Sequence, residues 1–95
     1  MDGILLHVTY ACLPGKAEEF YRALKKAGVP ELVRAADGCL QYDYVLSMEQ
    51  PDTLLLIEHW RDAAALRVHQ DDPVMQRILA CKHGRVLRTS QARFE

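Results

Sequence analysis

The sequence predicts an α+β domain of the ferredoxin-like, split βαβ kind: a four-stranded antiparallel sheet with helices on one face. Three observations point there. Four stretches alternate side chains with the period of two that a strand requires. Between the first and second of them, and between the third and fourth, apolar residues recur at helical spacing instead. The chain has 95 residues, 49% hydrophobic and 26% charged. That suits one domain over residues 1–95 and leaves no room for a second core.

The elements follow in order. In Ile4 to Ala11, Ile4, Leu6, Val8 and Tyr10 share one face and Leu5, His7, Thr9 and Ala11 the other. Pro14-Gly15 closes this strand with a turn. Lys16 to Ala27 reads as a helix with Phe20, Leu24 and Ala27 in one stripe. Its acids come early and its bases late, as the helix dipole favours. Gly28 stops it, and Pro30 to Ala36 makes a further short helix ending at Gly38. Cys39 to Leu46 is the second strand. Gln50-Pro51-Asp52 turns the chain, and Thr53 to Trp60 returns as the third strand, paired with the second. Asp62 to Gln70 is a short helix with Leu66 and His69 on one side. Asp72 then caps a new helix, with Pro73 where no N–H is needed. Val74, Met75, Ile78 and Leu79 form its apolar stripe, and Gly84 ends it. Val86 to Phe94 is the last strand.

The two sheet faces differ in their meaning. Ile4, Leu6, Val8, Leu40, Leu46, Leu54 and Leu56 make the richer apolar face, expected under the helices. The opposite face is still too apolar for water, through Leu5, Ala11, Val45, Leu55 and Ile57. An apolar patch of that kind marks an interaction site. The expected solution is a homodimer with sheets packed face to face. Leu5, His7, Asp43, Val45, Leu55, Ile57 and His59 would form that interface, with Thr9 and Gln41 adding polar pairs.

Charge and composition exclude several function classes. Twelve Lys and Arg against 13 Asp and Glu give a net charge of −1, so no basic excess exists for nucleic acid. The longest apolar run, Leu54-Leu55-Leu56-Ile57, is far below the ~18–20 residues of a membrane span. Met1-Asp2-Gly3 lacks the basic start of a secretory signal. Cys12, Cys39 and Cys81 are odd in number, widely spaced and without a CxxC pair. They read as reduced thiols in a cytoplasmic protein. No phosphate-binding glycine loop, nucleophile elbow or HExxH helix occurs. No metal site or cofactor is expected from the spacing of the four His.

One constellation remains. Glu58 is the acid on the otherwise apolar, helix-facing side of the sheet. Tyr42, Tyr44 and Trp60 lie on that side, and His69 points toward it from the helix beyond. Together they describe an apolar, aromatic pocket with a few convergent polar groups, the usual form of a small-molecule site. Desolvation would raise the pKa of Glu58 and suit it to general-base work. His69 is the second candidate base. The structural alternatives are a hydrogen-bonded core His, a packing Trp and a Glu that satisfies a Tyr hydroxyl.

The chain resembles the antibiotic biosynthesis monooxygenase family of the dimeric α+β barrel superfamily. The stretches that carry the resemblance begin with Leu13-Pro14-Gly15-Lys16, Glu19-Phe20, Gly38-Cys39-Leu40-Gln41-Tyr42 and Gln50-Pro51-Asp52. They continue with Ile57-Glu58-His59-Trp60-Arg61-Asp62-Ala63-Ala64-Ala65-Leu66, His69 and Pro73. The resemblance implies a homodimer whose sheets close a barrel, with a cavity in each subunit between sheet and helices. It also implies oxidation of an aromatic polyketide or quinol by O₂ without flavin or metal, the substrate being the reductant. By position, Trp60 and His69 match pocket residues best, followed by Tyr42 and Glu58. Two other branches of the family fit the residues less well. The haem-degrading branch carries an Asn where this chain has Val8, and a ligating His where it has Arg77-Ile78-Leu79; His83 comes a turn too late. Isomerases would need more polar pocket groups. A non-catalytic binder of a small apolar ligand is the remaining alternative. The oxidase reading expects O₂ uptake that disappears in Trp60→Ala or His69→Ala with the fold intact.

Overall fold

The structure, a computed structural model, describes residues 3–95. The chain runs β1 (Ile4–Cys12), α1 (Ala17–Lys26), α2 (Val29–Arg34), β2 (Cys39–Leu46), β3 (Thr53–Trp60), α3 (Ala63–Gln70), α4 (Val74–Lys82) and β4 (Val86–Phe94). The four strands form one sheet in the order β2-β3-β1-β4, antiparallel throughout. This is the ferredoxin-like arrangement that the alternating strand patterns predict.

Local chemistry explains the boundaries. Asp62 caps α3, its Oδ1 accepting from the Ala65 N–H at 2.8 Å. Asp72 does the same for α4, accepting from the Val74 N–H at 2.7 Å across Pro73. Each satisfies a backbone donor that a helix start leaves without a partner. The Pro51-Asp52 turn is tied to the end of β1. The Cys12 N–H donates to the Asp52 carbonyl, and the Gly15 N–H to the Asp52 side chain, both at 2.8 Å.

The helices cover one face of the sheet. Ile4, Leu6, Val8, Tyr10, Leu54 and Leu56 meet Phe20, Leu24, Val29, Val33, Leu66 and Ile78 in one continuous core. Burial alternates along β1 and β3, as the period of two requires.

Three residues assigned to the core lie outside it. Leu40 is 57% exposed and Leu46 is 46% exposed. Between Cys39 and Gln41 the register of β2 against β3 slips by one residue. Cys39 therefore faces Trp60, Leu40 is left over in a bulge, and the parity that would have buried it is broken. Leu46 ends the edge strand β2 and borders an open depression beside Tyr21 of α1. In α4, Leu79 is 61% exposed and Cys81 takes the inward place.

The open sheet face matches the expected one. Leu5, Thr9, Ala11, Leu55, Ile57 and His59 are half-buried, whereas His7, Asp43 and Val45 are exposed. His7 packs edge-on against Phe94, ring centroids 5.1 Å apart, and so continues the face across β4. Among the described residues no helix is long and apolar enough to cross a membrane.

Candidate functional site

Two strands and one helix bring the candidate residues together. Glu58 and Trp60 are two apart on β3 and so share its helix-facing side. The register sets Tyr42 of β2 directly opposite Glu58, and Tyr44 opposite Leu56. The Asp62 cap fixes the phase of α3. Ala65, Leu66 and His69 then fall on one stripe at spacings of three and four, and all three are buried. Gly38, just before β2, permits the close approach of α3. Its φ is +84°, and a Cβ there would lie 2.4 Å from the Ala65 Cβ. Only glycine fits both conditions.

The geometry is compact. The His69 ring stacks on the Trp60 indole, centroids 4.6 Å apart and planes 24° from parallel. The Trp60 Nε1–H donates to Glu58 Oε1 at 3.0 Å. The same oxygen lies 3.7 Å from His69 Nε2, too long for a hydrogen bond but within ion-pair reach. The Tyr42 ring meets His69 nearly edge-on at 6.2 Å. The Tyr42 and Tyr44 hydroxyls share a hydrogen bond of 2.9 Å.

Burial sets the protonation states. Desolvation pushes the Glu58 carboxyl above its ordinary range, partly offset by the indole N–H that it accepts. Desolvation pushes His69 below its ordinary range, with nearby Asp72 acting weakly the other way. Burial thus makes charge on either group costly, while the indole N–H favours the Glu58 carboxylate. Burial also raises the phenols of Tyr10, Tyr42 and Tyr44 well beyond the usual tyrosine range, so they stay protonated. They serve as packing and hydrogen-bonding groups, not as bases.

A cleft of about 450 Å³ opens above this cluster, between α2, α3 and α4. Leu32, Val33, Ala36, Val68 and Val74 supply apolar walls. Trp60 and His69 form its floor. The indole has no exposed surface and His69 6%, so a ligand meets the imidazole before the indole. Glu58 and Tyr42 lie below the floor and do not line the cleft. Tyr44 borders a separate depression with Tyr21, Leu46 and Leu54. The five residues expected to share one pocket are therefore layered: two at the floor, two beneath, one beyond. A side chain's parity on a strand tells its face, but not the depth at which the helices close over it.

The walls from α2 and α4, and Arg77 at the rim, went unrecognised in the sequence. The only available signal was the spacing of Arg77 from Val74, which puts both on one side of α4. Arg61 closes the mouth through a two-armed pair with Asp37, at 3.2 and 3.1 Å. Among the described residues no three His, Cys, Asp or Glu side chains converge to hold a metal ion.

A buried carboxylate so placed costs stability. Because the Glu58 pKa is raised on folding, protonation favours the folded state. Stability is therefore lower above the raised pKa and recovers as pH falls through it toward the ordinary Glu value. Glu58→Gln keeps an oxygen for the indole and removes the charge. We expect its thermal midpoint to exceed the native one on the order of 5 °C at neutral pH. The gain should vanish in acid. Circular dichroism melts at both pH values check it, and an equal gain at all pH values would refute the charge as the cause.

Comparisons with known proteins agree with this architecture. The family model for antibiotic biosynthesis monooxygenase matches residues 3–80. A Bacillus subtilis protein named "Putative monooxygenase YcnE" is 29% identical over 77 residues, covering 81% of this chain and 79% of its own. The crystal structure of PA3566 from Pseudomonas aeruginosa superposes with a TM-score of 0.83 at 30% identity, covering 99% of this chain and 93% of that one. A Deinococcus radiodurans structure, described as a "putative antibiotic biosynthesis monooxygenase", gives a TM-score of 0.82 at 29% identity. It covers 97% of this chain and 90% of its own.

Proposed function

Since the chain belongs to the antibiotic biosynthesis monooxygenase family, we propose that it oxidises a reduced aromatic molecule, polyketide- or quinol-like, with O₂. The electrons come from the substrate itself. The observation that carries this reading is the buried His69 at the cleft floor, stacked on Trp60 and backed by the Glu58 carboxyl.

The substrate ring lies between the apolar walls, which exclude water and hold it over the floor. His69, neutral near pH 7, takes a proton from a ring hydroxyl. The resulting phenolate is the electron-rich form that O₂ attacks. For a hydroquinone, two electrons and two protons pass to O₂, and the products are quinone and hydrogen peroxide. For a ring CH₂, one oxygen atom stays as a carbonyl and the other leaves as water. Glu58 acts through His69 and not on the substrate. As the imidazole gains its proton, the 3.7 Å separation from Glu58 becomes an attraction between opposite charges, and the contact shortens. Trp60 Nε1–H keeps the carboxylate aimed. Tyr44 holds the Tyr42 hydroxyl, and Tyr42 holds the edge of His69. These two tyrosines support the floor.

Oxygen uptake by metal-stripped protein against hydroquinones, naphthoquinols and anthrones tests the reading, corrected with denatured protein. Enzyme-dependent uptake supports it. Silence across the panel overturns it in favour of a binder or an isomerase. The three unbridged cysteines support a reducing, cytoplasmic setting.

The functional unit is a homodimer through the open sheet face. Its apolar members Leu5, Val45, Leu55 and Ile57 are only partly covered within one chain. Ile57 lies near the middle of that face, on β3 and opposite His7. Ile57→Asp would bury an unpaired charge at the contact, a cost of about 3–5 kcal/mol. We expect light scattering behind a sizing column to fall from about twice the 10.8 kDa chain mass to the monomer value. An unchanged dimer would mean that another surface makes the contact.

A further inference from the structure

We propose that Arg77 selects an anionic group, so that the preferred substrate is a reduced aromatic carrying a carboxylate beside its hydroxyls. This rests on the oxidase reading above and narrows its substrate class. Two guanidinium groups border the cleft, Arg61 and Arg77. Arg61 is committed: both nitrogens of its fork face Asp37, and its Nε faces Asp62 at 3.5 Å. Arg77 has no carboxylate within ion-pair distance among the described residues. One of its N–H groups, on Nη1, donates to the Ala27 carbonyl at 2.7 Å. That bond anchors the head group at the rim and leaves its other donors free.

Asp72 also borders the cleft, without a cationic partner among the described residues. Asp72 is occupied by the Val74 N–H at the start of α4, where helix N–H groups and dipole offset a negative charge. An anion placed at Arg77 therefore meets a fixed cation beside apolar walls. A planar, two-pronged carboxylate matches the guanidinium fork. The ring then extends between Arg77 at the rim and His69 at the floor, one end recognised by charge and the other by proton transfer. A neutral aromatic leaves Arg77 unused.

Trp60 is the chain's single tryptophan and lies at the cleft floor. Its emission therefore reports occupancy without turnover. The experiment titrates native protein anaerobically with 1,4-dihydroxynaphthalene and with 1,4-dihydroxy-2-naphthoate, corrected for absorption by the ligands. We expect the naphthoate to bind at least about tenfold tighter, a difference worth ~1.4 kcal/mol. Arg77→Gln should bring the two within about twofold, and Arg77→Glu should reverse the order, electrostatic effects of the kind that raised salt weakens. With O₂ admitted, Arg77→Gln should raise KM for the naphthoate and leave kcat nearly unchanged, as loss of uniform binding does. Equal binding of both ligands with both oxidised would overturn the inference and leave the oxidase reading standing. A preference that survives Arg77→Gln would also overturn it. No change in Trp60 emission and no O₂ uptake with either ligand would overturn both.

Discussion

His69→Gln should lower enzyme-dependent oxygen uptake with a quinol by about 10²–10⁴-fold, the usual contribution of a positioned base. Among the described residues His69 is the titratable side chain at the cleft floor, and it is held from three sides. Trp60 stacks on its face, Tyr42 meets its edge, and the Glu58 carboxyl stands 3.7 Å from Nε2. Gln retains polar atoms of similar reach, so folding should survive where His69→Ala leaves a larger void. The pH profile separates a base from a merely structural residue. Only the neutral imidazole accepts a proton, and burial depresses its pKa. Native kcat/KM should therefore stay level from neutral pH to below the ordinary His range, then fall as pH drops through the depressed value. In His69→Gln the residual rate should lose that acid limb. An acid limb retained in the variant, or a rate within twofold of native, would remove His69 from the chemistry.

Trp60→Ala should unfold the protein or lower its melting midpoint by about 15 °C or more. The indole is fully buried, and removing a core Trp costs about 3–5 kcal/mol. That is a large part of the ~5–15 kcal/mol available to a typical domain. It also orphans the Glu58 carboxylate, since the indole N–H is its hydrogen-bond donor. The sequence alone suggested that this variant would lose activity with its fold intact; the depth of the indole argues otherwise. Trp60→Phe is the cleaner probe. It keeps an aromatic ring against His69 and removes the N–H together with part of the indole. With that donor gone, Glu58 should ionise less readily, and oxidation should weaken at low pH first. Circular dichroism melts and oxygen uptake across pH read both effects. A Trp60→Phe profile identical to native would show that the indole N–H plays no part.

How much was legible in the residues depends on the kind of order each feature needs. β3 carries no bulge, so its parity from Leu54 to Trp60 held and with it the inward facing of Glu58 and Trp60. The cap at Asp72 was visible because capping is a local contact of two or three residues. Leu40 was misplaced because a bulge is decided by the partner strand: the slip between Cys39 and Gln41 exists only in the pairing with β3. Leu79 was misplaced for a related reason, since an apolar stripe wide enough for two orientations is settled by what packs against it. The site divided along the same line. The side of the sheet bearing Tyr42, Tyr44, Glu58 and Trp60 could be read from their spacing. Their layering, and the separation of Tyr44 into another depression, could not.

The sequence by itself determined the order of elements, the antiparallel hairpin of β2 and β3, and the two unequal sheet faces. These depend on contacts close along the chain and on side-chain periodicity. Only the tertiary structure decided that Glu58 Oε1 accepts from Trp60 and approaches His69, that the cleft has α2 and α4 for walls, and that Arg77 stands at its rim with no carboxylate partner among the described residues. Arg77 reaches Ala27 across 50 positions and Arg61 reaches Asp37 across 24. Such pairings are selected by how helices pack on the sheet, where shape and burial over the whole core set distances that no local pattern encodes.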